Sequence, residues 1–241
     1  MRGTGIIFQR EFGQYFASPI AYLIAAAFLL VTALIFNTNL TVSLTREPVN
    51  PAIVPVSLSF FLIFFAPVLT MRLLAEESRE GTMELLLTAP VQETALVIGK
   101  FLSAWAFFTL LLGLTFIYQV ILLAITQPTF GQAIGAYIGI WLYAGATLSV
   151  GLLFSAITEN QVVAAFLSIA ALMLLWLGDL AGQIVANLQL AEVIRNLTLQ
   201  GHFSSSFAFG LIRLEDIVYF AGIIVIMLFV TIRVVESRRW R

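Results

Sequence analysis

No cysteine occurs in the 241 residues, so disulfides and thiolate metal sites are excluded. Histidine occurs once, as His202, which leaves no metal set of the His-Glu-x-x-His kind and no base beside any candidate nucleophile. Charge is scarce. Asp, Glu, Lys and Arg make up 10% of the chain, against about a quarter in an ordinary soluble domain. None falls between Phe12 and Thr45, Pro48 and Met71, Phe101 and Thr158, or Asn160 and Gly178. Stretches of that length without charge belong in hydrocarbon. A net charge of −1 provides no attraction for nucleic acid. A nucleotide-binding P-loop is also missing: the one Gly-Lys pair, Gly99-Lys100, is followed by Phe101 and has Thr94 where the motif needs glycine.

What is present is apolar. Hydrophobic residues are 61% of the chain and the mean hydropathy is +1.02, which predicts an all-α integral membrane protein in one transmembrane domain over 1–241. Six spans are expected, at about 20–40, 53–74, 96–125, 133–157, 162–184 and 217–235. Arg2 followed by the mixed segment Gln9 to Tyr15, with no small-residue cleavage site, does not read as a signal peptide. Placing both termini in the cytoplasm puts nine of the twelve Lys and Arg inside and leaves Arg46, Arg195 and Arg213 outside. The connection 185–216 keeps helical apolar spacing and is expected to form short helices packed in the outer leaflet.

Two segments do not fit simple spans. In 1–19, Ile7, Phe8, Phe12, Tyr15 and Phe16 share one helical face while Gln9, Arg10 and Gln14 lie elsewhere, the pattern of an interfacial helix that Ser18-Pro19 ends. Between the second and third spans, Glu80 to Pro90 reads as a short helix set between breaks. Gly81 suits a left-handed stop, Thr82 an N-cap, Glu84 an acid in the first turn and Pro90 an exit, giving a helix over 82–89. Met83, Leu86 and Leu87 are expected to enter a groove on a partner, and Glu80 and Glu84 to meet basic groups on its rim. Glu76, Glu80 and Glu84 would form one acidic stripe if the helix were continuous. A catalytic or metal role for Glu77-Ser78-Arg79-Glu80 is disfavoured, because no histidine is near and nothing in the sequence indicates a cleft.

Arg10-Glu11-Phe12, Tyr15-Phe16, Ser18 to Tyr22, Glu76-Glu77, Arg79, Gly81-Thr82, Glu84 to Leu87, Pro90-Val91 and Gly99-Lys100 together resemble the permease subunit of type-2 ATP-binding-cassette exporters, and within that group the gliding-motility branch. The resemblance is sharp over about 10–22 and 76–100 and rests on topology elsewhere. It implies a six-helix domain in a bacterial inner membrane, paired with a second permease copy and driven by a separate ATPase subunit that holds the ATP and Mg, with an auxiliary transport protein as a further expected partner. It also implies that the interfacial helix, through Phe8, Arg10, Glu11, Phe12 and Tyr15, and the helix after the second span contact the ATPase.

Other polar and aromatic positions carry two readings. Asn37, Phe61, Phe65 and Asp179 are candidates for a translocation path, with Asn39 and Gln119. Hydrogen bonding to neighbouring helices is the commoner use of such groups. Gly135 and Gly139 form a Gly-x-x-x-Gly pair suited to close helix packing. An ion-coupled transporter or channel is the alternative function, opposed by spans without midway charges. A non-transporting scaffold driven by an ATPase would carry the same docking pattern.

Overall fold

The computed structural model describes residues 2–43, 50–82, 92–125, 130–184, 189 and 196–238. Among them the helices are α1 (Arg2–Ala17), α2 (Pro19–Ser43), α3 (Ile53–Thr70), α4 (Ala75–Arg79), α5 (Glu93–Leu114), α6 (Ile117–Ile125), α7 (Phe130–Ile157), α8 (Gln161–Ile184), α9 (Leu199–Ser205) and α10 (Leu214–Arg238), with a 3-10 turn at Phe207–Phe209. No strand occurs among the described residues. Six stretches are long and apolar enough to cross a bilayer, so the chain is an all-α, multi-pass membrane protein.

The bundle is built around α7, which packs on α3, α5, α8 and α10. In its most apolar window 72% of the residues are buried within the chain, against 17% in α8 and α10, whose surfaces turn outward. Small residues make that central position accessible. A Cβ at Gly135 would lie 2.6 Å from Gly210 Cα, and one at Gly139 would overlap the Phe207 side chain. The Gly-x-x-x-Gly pair therefore packs within the subunit, against the 3-10 turn that follows α9. This covers the end of the bundle opposite α1 and α4, with Phe203 and Phe207 fully buried. At the α1 end, Arg238 Nη1 donates to Ser78 Oγ at 2.8 Å, so the described residues nearest both termini share one face of the molecule.

Two spans depart from the continuous helices expected. The third, expected over 96–125, is α5 and α6 separated by a turn at Thr115-Phe116. There the Thr115 hydroxyl donates to the Leu112 carbonyl at 2.6 Å and the Tyr137 hydroxyl bonds the Thr115 carbonyl at 3.1 Å. The freed backbone is thus satisfied by a neighbouring helix. Gln119, just beyond, donates to the Pro51 carbonyl at 2.8 Å, a helix-to-loop bond. The second, expected over 53–74, stops at Thr70, and residues 71–74 form a turn before α4. Ser155 of α7 stitches that break: its hydroxyl accepts from the Leu74 and Ala75 amides at 3.1 and 3.0 Å and lies 3.0 Å from the Met71 carbonyl, to which it donates.

Candidate coupling site

The site begins with the fit of α1 along α5. A Cβ at Gly99 would come within 2.8 Å of Ile7 Cγ2 and 3.1 Å of the Thr4 carbonyl, so glycine is what lets the two helices touch. The aromatic face continues the contact. Phe8 stacks on Phe12, Phe12 meets Phe16 edge to face, and Tyr15 stacks on Phe107 with ring centres 4.5 Å apart. Tyr15 Oη also donates to the Leu69 carbonyl at 3.2 Å, tying α1 to the end of α3. Burial, reinforced by the Glu11 charge, pushes the Tyr15 phenol above its ordinary range, so it stays a neutral donor.

Beneath this aromatic seam lies a four-charge cluster. Lys100 of α5 is 2% exposed and Glu11 of α1 is 5% exposed. The Lys100 ammonium sits 3.1 Å from Glu11 Oε1 and 2.8 Å from Glu77 Oε1 of α4, while Arg10 Nη2 approaches the same two oxygens at 2.7 and 3.4 Å. Two cations and two carboxylates cancel. The hydrogen bond to Glu11 raises the Arg10 guanidinium further above its already high range. Charges this deep persist only when paired, so α1, α4 and α5 are locked into one body at this corner.

The cluster forms one wall of a cleft of about 490 Å³, also lined by Gln14, Tyr15, Leu69, Leu73, Arg72, Glu76, Glu80 and Thr82. Glu77 and Glu80 thus line a cleft that nothing in the sequence indicates. Around it stand Arg10, Arg72 and Lys100 against Glu11, Glu76, Glu77 and Glu80, three cations against four acids. Glu77 Oε2 is buried without a hydrogen-bond partner among the described residues. Arg72 reaches Glu76 at 3.8 Å.

At the mouth of the cleft, Gly81 takes a φ of +70°, the left-handed stop expected of it. It ends α4, so the acidic stripe is not continuous from Glu76 to Glu84. Thr82 differs from the N-cap expected. It is already helical, and its hydroxyl donates backward to the Glu77 carbonyl at 3.3 Å, closing the turn around Gly81. Met83, Glu84, Leu86, Leu87 and Pro90 lie outside the described residues. The path candidates Asn37, Phe61, Phe65 and Asp179 are not among the cleft's lining residues. Asn37 is exposed on α2, Phe61 and Phe65 meet Phe60 and Phe28 edge to face, and Asp179 is buried on α8.

Sequence reasoning named Arg10, Glu11 and Glu77 separately but missed Lys100 as their partner. In the sequence Lys100 counts as a cytoplasmic cation, as half of the Gly99-Lys100 pair that fails the P-loop pattern and as part of the family resemblance, with no partner named for it. The available signal was Gly99, a small residue that brings a second helix next to the following lysine. No group of three metal-ligating side chains occurs among the described residues.

Six apolar helices, with the additional helix α1 locked ionically to one end of the bundle, define a multi-pass membrane protein. Residues 6–234 match the family described as ABC-2 family transporter protein, and the chain belongs to that family. It is 30% identical over 133 residues, 53% of its length, to a probable multidrug ABC transporter permease, YbhS, of Escherichia coli strain K12, and to the same degree to that of strain O157:H7. The match covers 35% of those relatives, so the chain is compared with about a third of each.

Proposed function

We propose that this chain is the membrane permease subunit of an ATP-driven ABC exporter, coupled to a separate ATPase through the segment that begins at α4. The family match and the likeness to a probable multidrug ABC transporter permease support export. The observation that carries the coupling role is the buried Arg10, Glu11, Glu77 and Lys100 cluster, which makes α1, α4 and the start of α5 move together and leads within four residues to the left-handed break at Gly81. A push on 82–89 then reaches α3 through the 71–74 turn, α5 through Lys100 and α7 through Ser155.

In this reading the Lys and Arg distribution puts both termini and the cleft in the cytoplasm of a bacterial inner membrane. A second permease copy completes the pathway, ATP and Mg reside on the partner ATPase, and an auxiliary transport protein joins the assembly. The surplus acid of the cleft, Glu80 included, favours a basic ATPase surface. The Arg10 to Tyr22 block supports the gliding-motility branch. To drive a permease equilibrium from 1:99 to 99:1, the closed motor needs about 5.5 kcal/mol of differential affinity, within reach of a few buried leucines at about 1.5–3 kcal/mol each.

The test is reconstitution of Gly81→Val and Leu86→Asp with the partner ATPase. Membrane insertion should be normal, while hydrolysis loses its coupling to cargo movement. Unaltered ATPase turnover together with normal transport in both variants would refute the coupling assignment.

A further inference from the structure

The connection between α8 and α10 contains a second buried polar cluster, at the end of the bundle away from the cleft. His202 Nδ1 lies 2.6 Å from Asp216 Oδ1, and its Nε2 lies 3.0 Å from the Asn196 carbonyl. Ser206 donates to Asp216 Oδ2 at 2.5 Å, and Asp216, in the first turn of α10, is 2% exposed. The imidazole stacks on Tyr219, ring centres 3.8 Å apart, and Tyr219 Oη donates to the Leu197 carbonyl at 2.9 Å.

The two ring nitrogens face only acceptors. A carboxylate oxygen and a peptide carbonyl both require a donor, and only the imidazolium carries two N–H groups. Either neutral tautomer satisfies one side and sets a nitrogen lone pair against the other oxygen. The remaining groups do not relieve that conflict. Glu215 is exposed and pairs with Arg213 at 3.4 Å, and Tyr219 offers a ring face. From α8 the ionisable residue at this end is Asp179, next to Gly178, which packs on Thr198. From α7 it is Tyr143, packed on Phe203 and Phe220.

We propose that His202 is a proton-operated latch that fastens residues 196–206 to the start of α10 when charged and releases one end of that fastening when neutral. The Asp216 side is the one a neutral ring keeps, because its remaining N–H makes a stronger bond to a buried carboxylate than to a peptide carbonyl. The Asn196 carbonyl is therefore the end released. The sign follows from the donor count: the latch is closed while both ring nitrogens carry a proton and opens when one of the two protons is lost. The inference stands on this cluster alone and does not depend on the ATPase-coupling reading.

The chain's single histidine and lack of cysteine make the test direct. ¹⁵N-histidine labelling of the full-length protein in detergent micelles gives one imidazole, whose two nitrogens report its protonation state between pH 5.5 and 8.5. Spin labels on Leu197→Cys and Val218→Cys, both at exposed positions, report the distance between the connection and α10 across the same range. The expected result is one narrow distance population while the ring is doubly protonated, with a broader or longer population appearing in step with proton loss. His202→Gln should show the broader population at every pH. A ring that holds one protonation state throughout, or one that titrates while the distance stays fixed, would overturn the proposal.

Discussion

Replacing Lys100 with methionine keeps the length of the side chain and removes the charge that neutralises two carboxylates. At an effective dielectric of about 20, unit charges about 3 Å apart attract by roughly 5 kcal/mol, and Lys100 has two such contacts, at 3.1 and 2.8 Å. Much of that attraction is offset by the cost of burying the ammonium. What remains after the change is Arg10 alone against Glu11 and Glu77, and a buried group deprived of its partner costs about 3–5 kcal/mol. For a chain of this size that is a fall in melting temperature of order 10 °C. The assay is thermal melting of the purified protein in detergent, followed by the fraction that remains monodisperse. The companion variant combines Lys100→Met with Glu11→Gln and Glu77→Gln, and should recover most of the loss because no buried charge is left without a partner. A single variant that melts within about 2 °C of the parent, or a triple variant no better than the single, would refute the claim that this cluster is a paired, desolvated unit.

Ser155→Ala leaves the Leu74 and Ala75 amides without their acceptor in a buried turn and should cost about 1–3 kcal/mol, read as a lower melting temperature with faster hydrogen exchange at 71–76. Gly99→Leu should push α1 off α5 and loosen ATPase binding in pull-downs without reducing membrane insertion, because the side chain would occupy the place of Ile7. Tyr15→Phe keeps the stack on Phe107 and loses the bond to the Leu69 carbonyl, a cost of about 1 kcal/mol by melting. Deleting residues 2–14 removes two members of the cluster and should lower both stability and ATPase pull-down yield.

The spans were legible because hydrocarbon selects charge-free runs of about 20 residues, and Gly81 and Ser18-Pro19 were legible because each has backbone chemistry that few residues share. The breaks at 71–74 and 115–116 were not. Neither contains glycine or proline, and each is held by a residue distant in sequence, Ser155 and Tyr137. The cluster was hidden for the same reason. Glu11, Glu77 and Lys100 are spread over ninety positions, and only the close approach of α1 to Gly99 brings them together. Thr82 shows the limit of local rules: the same hydroxyl that suits an N-cap instead closes the preceding turn, because the left-handed glycine before it presents the Glu77 carbonyl.

The most direct measurement of the coupling assignment uses the absence of native cysteine. Glu80→Cys, treated in native membranes with a short thiol-to-amine cross-linker, should give an adduct with the ATPase subunit whose yield changes when ATP is bound. Labelling of Glu80→Cys only from the face opposite the ATPase, or no adduct while the ATPase co-purifies intact, would contradict the account.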